Sequence, residues 1–321
     1  MDLRGNDMDI KILSSKELEK LDPTSKKEYF DRLREYSKNL KRDDYGKEIS
    51  KKLISKIAPM LRNYDLDIIG RENIPSEASA VFICNHSNSH DFFTTQEVFS
   101  ELGRKVTPFG ADDCLNFFTL QLFKAGDVTL INRDDKQSAI DGMLRFSKKI
   151  IDGKDGVIFG ESTWNLHPIK PMQPIKVGGT QTALIADTVV VPTIFEYVEV
   201  PDVVSKEKEL YKRCIVSFGK PIVVKATDDL FAKTMEIQKV LEKMRIELWE
   251  KLNIKRRSLD DINKEVYLNH TYLKKFKALG FEYDSEHEFQ YLLKDKNGQY
   301  ENEFHLDENG NFVPGITHKR K

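Results

Sequence analysis

The clearest alternation of apolar and polar positions lies between residues 66 and 225. Ala80 to Cys84 is a short apolar β-branched and aromatic run, the pattern of a buried strand. A polar turn follows, Asn85-His86-Ser87-Asn88-Ser89-His90-Asp91. Phe92 to Leu102 then has the pattern of a helix with Asp91 near its start. The same rhythm repeats downstream. Strands are expected at Asp65–Ile69, Lys105–Gly110, Val128–Asn132, Gly156–Phe159, Val189–Phe195 and Cys214–Phe218. Helices are expected over 111–125, 137–152, 180–186 and from Asp228-Asp229 to about Leu252, with a charged insertion at 199–212. Strand, helix, strand, helix, strand implies parallel pairing through right-handed crossovers. The expected fold class is therefore α/β, a mainly parallel mixed sheet with flanking helices. In such a sheet the turns after consecutive strands share one edge, where open α/β folds place their ligands.

Outside this region the pattern is different. In residues 1–65, Leu18, Leu21, Tyr29-Phe30, Leu33 and Tyr36 recur at helical spacing, with a start at Pro23-Thr24. A second helix is expected from about Tyr45 to Tyr64, with Ile49, Leu53, Ile54, Ile57, Met60 and Leu61 on its apolar side. Its polar side carries Lys47, Lys51, Lys52, Lys56 and Arg62 against Glu48. Such a basic amphipathic helix over 46–63 can lie on an anionic membrane or pack on the next domain. After Lys255 the chain reads as a helix or helix pair over 259–280. It continues as a three-stranded meander with turns at Asn297-Gly298 and Asn309-Gly310. The expected division is 1–65, an N-terminal helical segment; 66–255, the main domain; and 256–321, a C-terminal appendage.

Composition narrows the classes. Across 321 residues, 32% are charged yet the formal net charge is −1, which gives nucleic acid no electrostatic footprint. The 3 cysteines, Cys84, Cys114 and Cys214, are widely spaced and expected to be reduced thiols, as in the cytoplasm. The opening residues are charged, so no leader is expected, and no apolar run approaches the ~18 residues that span a bilayer. The expected location is cytoplasmic and peripheral on the membrane.

His86 and Asp91, five residues apart across a sharp turn, can fold back onto each other. The carboxylate then fixes the imidazole tautomer, and the other ring nitrogen can take a proton from a hydroxyl. No Ser or Cys nucleophile is needed if the acyl donor is already a reactive thioester. The same letters also suit a His at a helix start, an Asp N-cap and an ordinary turn. A third reading is a metal-dependent hydrolase that uses His86, His90 and Asp91, joined by Glu161 and His167.

Asn85-His86, with Asp91 closing the block, resembles the N-H-x-x-x-x-D motif of the glycerolipid acyltransferase family, which includes the lysophosphatidic acid acyltransferases. Leu130-Ile131-Asn132-Arg133 resembles its second motif and Phe159-Gly160-Glu161-Ser162-Thr163 its third, F-P-E-G-T-R. Val190-Val191-Pro192-Thr193 resembles its fourth, and Phe218-Gly219-Lys220-Pro221-Ile222 a downstream element. The resemblance implies transfer of an acyl group from acyl-CoA or acyl carrier protein to a hydroxyl of a lysophospholipid such as 1-acyl-glycerol-3-phosphate. His86 would be the general base and Asp91 its partner, with no bound cofactor and no metal. It implies that Arg133, Glu161, Ser162 and Thr163 hold the acceptor, with Asn85 and Trp164 as further contacts. Arg133 could instead be a strand-end ion pair, and Glu161 could only tie down its loop. Gly160, Ser162 and Trp164 stand where the motif has Pro, Gly and Arg, so a glycolipid or another hydroxyl also fits as acceptor. A non-catalytic, lipid-binding relative is the remaining alternative.

Overall fold

The structure is a computed structural model. It describes residues 2–3, 10–11, 13, 15–40, 64–87, 90–112, 122–132, 135–162, 171–199, 211–252, 305–306 and 312–313. The basic stretch 46–63, the segment 259–280 and the first meander strand lie outside the described residues.

Seven strands form one sheet: β1 (Asp65–Ile69), β2 (Val81–Cys84), β3 (Val106–Ala111), β4 (Thr129–Ile131), β5 (Asp155–Phe159), β6 (Val190–Glu199) and β7 (Tyr211–Phe218). Their order is β1-β7-β6-β2-β5-β3-β4. Every neighbouring pair is parallel except β6 with β7. The mainly parallel mixed sheet is thus present, and the carboxyl ends of β2, β3, β4, β5 and β6 lie along one edge.

Among the described residues, five helices of nine or more residues flank it: α1 (Pro23–Asn39), α2 (Asp91–Glu101), α3 (Lys136–Ile151), α4 (Gly178–Ala186) and α5 (Leu230–Lys251). Three of them, α1, α3 and α5, start where a side chain satisfies first-turn amides. Asp22 accepts from Thr24 N and Ser25 N, Asp135 from Gln137 N, and Asp229 from Ala232 N.

β2 is buried on both faces, as a central parallel strand must be. Val81 and Ile83 join the core under α1, α3, α4 and α5. Ala80, Phe82 and Cys84 face the other way, toward Val98 and Phe99 of α2. The Phe82 and Phe99 rings meet edge to face at 4.8 Å. Phe30, Leu33 and Tyr36 of α1 share the first core with Leu144 of α3 and Ile185 of α4. Arg34 adds hydrogen bonds from its guanidinium to the Ile185 and Leu184 carbonyls at the end of α4, at 3.0 and 2.9 Å.

Three boundaries differ from expectation. β6 continues past Phe195 to Glu199, and β7 begins at Tyr211. A carboxylate normally ends an apolar strand, but buried Glu196 is paired with Arg245 of α5 at 2.7 Å, so the strand runs on. Ala111 belongs to β3, opposite Ile131, rather than to a helix start. Residues 113–121 of the helix expected there lie outside the described residues. Near the C-terminus, His305–Leu306 pairs antiparallel with Phe312–Val313.

A buried ionic cluster braces the edge away from the turns. Asp127, at φ 59, precedes β4 and is fully buried. Its carboxylate accepts from Lys149 Nζ at 3.1 Å and Lys154 Nζ at 2.6 Å, and its carbonyl from Thr107 Oγ1 at 2.7 Å. Among the described residues no helix is long and apolar enough to cross a membrane.

Candidate active site

The turn after β2 is built from its own residues upward. Asn85 is fully buried and docks on β6. Its Oδ1 accepts from Phe195 N at 2.7 Å, and its Nδ2 donates to Phe195 O at 3.0 Å and to Ser87 Oγ. This side chain does what a further strand residue would do, and it lets the main chain leave the sheet. Ser87 Oγ donates to the same carbonyl at 3.1 Å.

His86 then projects from the rim. Its Nδ1 lies 2.7 Å from Asp91 Oδ2, which also accepts from Ser87 N at 2.9 Å. The imidazole stacks on Phe159, with centroids 4.5 Å apart and planes at 24°. The His86 side chain is 23% exposed and that of Asp91 1%. Asp91 is the first residue of α2, where the positive end of the helix dipole favours a carboxylate. With that carboxylate as acceptor, Nδ1 carries the hydrogen and Nε2 the lone pair.

The groups around Asp91 stay neutral. Burial pushes the Cys84 thiol well up, and the Asp91 charge adds to the effect, so this cysteine is no thiolate nucleophile. Burial also raises Tyr197, again with Asp91 contributing. Burial lowers His90, opposed by Asp91. Beneath the turn the hydroxyls of Tyr64, Thr94 and Tyr197 are linked at 2.8 and 3.1 Å. His90 meets the Tyr64 ring edge-on at 6.0 Å. Among the described residues no three His, Cys, Asp or Glu side chains converge as a metal-ligand set; His167 lies outside them.

Glu161 follows β5 on the same edge and is 2% exposed. Its Oε1 accepts from His86 N at 2.7 Å and its Oε2 from Gln173 N. Asn85 and Glu161, expected from sequence to contact an acceptor, are therefore turned inward. The reason is the same for both: a buried turn leaves main-chain groups that only polar side chains can satisfy. Ser162 stands in the turn at φ 62, with its N–H donating to Phe159 O at 3.0 Å. Arg133, Thr163 and Trp164 lie outside the described residues.

The departures from the F-P-E-G-T-R pattern have structural counterparts. Gly160 N donates to Cys84 O at 2.8 Å, a bond that Pro lacks. A Cβ on Gly160 would come within 2.9 Å of Ile175 Cγ2. Ser162 carries a left-handed backbone where the motif has Gly, a conformation costing an L-residue about 1 kcal/mol or more. Ser162→Gly is expected to raise the melting temperature by roughly 1–4 °C. Thermal unfolding checks it, and a lower melting temperature would mean that the hydroxyl outweighs the strain.

Sequence reasoning missed Phe159 beneath the imidazole, Phe195 as the dock for Asn85, and the polar face of α5. The last had a visible signal: Thr234, Gln238, Glu242 and Arg245 recur at helical spacing in an otherwise apolar face.

Residues 65–196 match the family model described as Acyltransferase. The match runs from β1 into β6 and includes His86, Asp91 and Glu161. Among solved structures it is similar to the 1-acyl-sn-glycerophosphate (LPA) acyltransferase PlsC from Thermotoga maritima. The TM-score is 0.45 and the identity 13%, over 65% of this chain and 81% of that one. A comparison with curated proteins found no match.

Proposed function

We propose that this chain moves a fatty acyl group from an acyl thioester, acyl-CoA or acyl carrier protein, to a hydroxyl of a lysophospholipid such as 1-acyl-glycerol-3-phosphate. One observation carries the reading: the 2.7 Å contact between His86 Nδ1 and Asp91 Oδ2, on a partly exposed ring at the sheet edge of an acyltransferase domain.

The steps follow from that contact. Asp91 holds Nδ1, so a proton taken from the acceptor hydroxyl goes to Nε2. The acceptor oxygen bonds to the thioester carbonyl carbon, the C–S bond breaks, and the departing sulfur takes the proton from the imidazolium. Asp91 stabilises the transient cation. Glu161 acts as a brace for the His86 main chain, and Arg133, Ser162, Thr163 and Trp164 are the proposed acceptor contacts. An Arg suits a phosphate because its planar fork makes paired charged hydrogen bonds. The basic stretch 46–63 is the proposed membrane contact.

A donor-by-acceptor screen with purified protein tests the proposal. Acyl-CoA and acyl carrier protein are each offered with lysophosphatidate, lysophosphatidylcholine, a glycolipid or no lipid. The expected result is a lysophospholipid heavier by one acyl group. Thiol release with no acylated lipid from any pair would instead make the protein a thioester hydrolase.

A further inference from the structure

The long helix α5 carries a row of buried polar side chains where an amphipathic helix normally places apolar ones. Thr234, Gln238, Glu242 and Arg245 are 2%, 0%, 3% and 8% exposed. Burying such groups is costly unless each has work to do.

Two of them grip one segment of the main chain. Gln238 Oε1 accepts from Ile175 N at 3.1 Å, while its Nε2 donates to Glu242 Oε1 at 2.8 Å. Arg245 donates to Pro171 O at 2.6 Å and pairs through Nε with Glu196 Oε2 at 2.7 Å. Its guanidinium also lies 5.0 Å from the centre of the Trp249 ring. Residues 171–176 thus form a strap, with Met172, Gln173 and Ile175 buried. Pro171 and Pro174 stiffen it.

The far side of the strap meets the site. Gln173 N donates to Glu161 Oε2, and Lys176 N donates to Gly160 O at 2.9 Å. Ile175 occupies the space that a side chain on Gly160 would need. Glu161 in turn holds His86 N. A continuous path of hydrogen bonds therefore runs from α5 through the strap and Glu161 to the main chain of His86.

We infer that Gln238 and Arg245 are positioning residues for acyl transfer, holding the strap so that Glu161 fixes the His86 main chain. This rests on the acyltransferase reading above. Neither side chain touches the imidazole, and both act through main-chain groups of the strap. Loosening the strap lets Glu161 shift, and the His86–Asp91 pair loses its register with the thioester. Displacements of this kind, on the order of 1 Å, can cost up to about 100-fold in rate.

Gln238→Met keeps the length and removes the acceptor. Thr234→Val is the control, because Thr234 Oγ1 bonds to Thr180 Oγ1 and Leu230 O, at 2.7 and 2.6 Å, away from the strap. Gln238→Met is expected to lower kcat roughly 10- to 100-fold, with the KM for thioester and acceptor within about 2-fold. Thr234→Val is expected to leave kcat within about 2-fold at matched folded fraction. Arg245→Lys keeps a charge for Glu196 and gives up the fork that reaches Pro171. It serves as the second variant, should Gln238→Met fail to fold, with the same loss confined to kcat. Equal effects of Gln238→Met and Thr234→Val, or unchanged kcat in Gln238→Met and Arg245→Lys, would overturn the inference.

Amide exchange separates this inference from the activity itself. Faster exchange at Gln173 and His86 in Gln238→Met, with α1 unchanged, supports the path even if the wild type acylates nothing. Unchanged exchange at both amides overturns the path even if the wild type is an active acyltransferase.

Discussion

On the proposed function, His86→Ala is expected to lower acyl transfer by roughly 10²- to 10⁴-fold, the range that a positioned general base supplies. Nδ1 is held by Asp91 at 2.7 Å, so in the proposed step the proton goes to Nε2. The fold survives. The ring is partly exposed and stacks on one face against Phe159, so its loss opens little interior space. Asp91 keeps the Ser87 N–H at 2.9 Å, and losing one of its partners costs about 1–3 kcal/mol. Initial rates of product formation, compared at matched folded concentration by circular dichroism, check the outcome. Near wild-type turnover would place the base elsewhere.

Asp127→Ala has the largest expected effect on stability. Its carboxylate is 1% exposed and pairs with two lysines that are 6% and 7% exposed. Removing the anion leaves two ammonium groups in the interior, and stranding even one buried partner costs about 3–5 kcal/mol. In a domain of this size each kcal/mol lowers the melting temperature by about 2–4 °C, so a fall of roughly 6–20 °C is expected. Asp127→Asn keeps the shape and tolerates the φ of 59, and so loses less. Thermal unfolding of the three proteins measures both effects. A fall under about 2 °C in Asp127→Ala would mean that both lysines reach solvent and that the cluster adds little.

Why the sheet was legible is clear from β2 and β5. Short β-branched and aromatic runs bounded by polar turns have few other solutions in a long chain, and parallel pairing follows from the intervening helices. The convergence of the turns at His86 and Glu161 follows from that pairing. What the pattern concealed was direction. Asn85 and Glu161 are polar residues beside a site, and their types suit a ligand as well as a main-chain partner. Only the positions of Phe195 and Gln173 show that they face inward. Glu196 misled in the opposite sense: its charge marks a strand end until Arg245, 49 residues away, is seen to neutralise it. Pairings of that separation leave no trace in local periodicity. The polar row on α5 was visible as letters, but its purpose depends on a strap more than 60 residues earlier in the chain.

The central claim is that His86, steadied by Asp91, takes the proton from an acceptor hydroxyl as it attacks a thioester. The most direct measurement is the mass of lipid product after purified wild type and His86→Ala are each incubated with an acyl thioester and lysophosphatidate. A diacyl product is expected from the wild type and almost none from the equally folded variant. Equal product from both would contradict it.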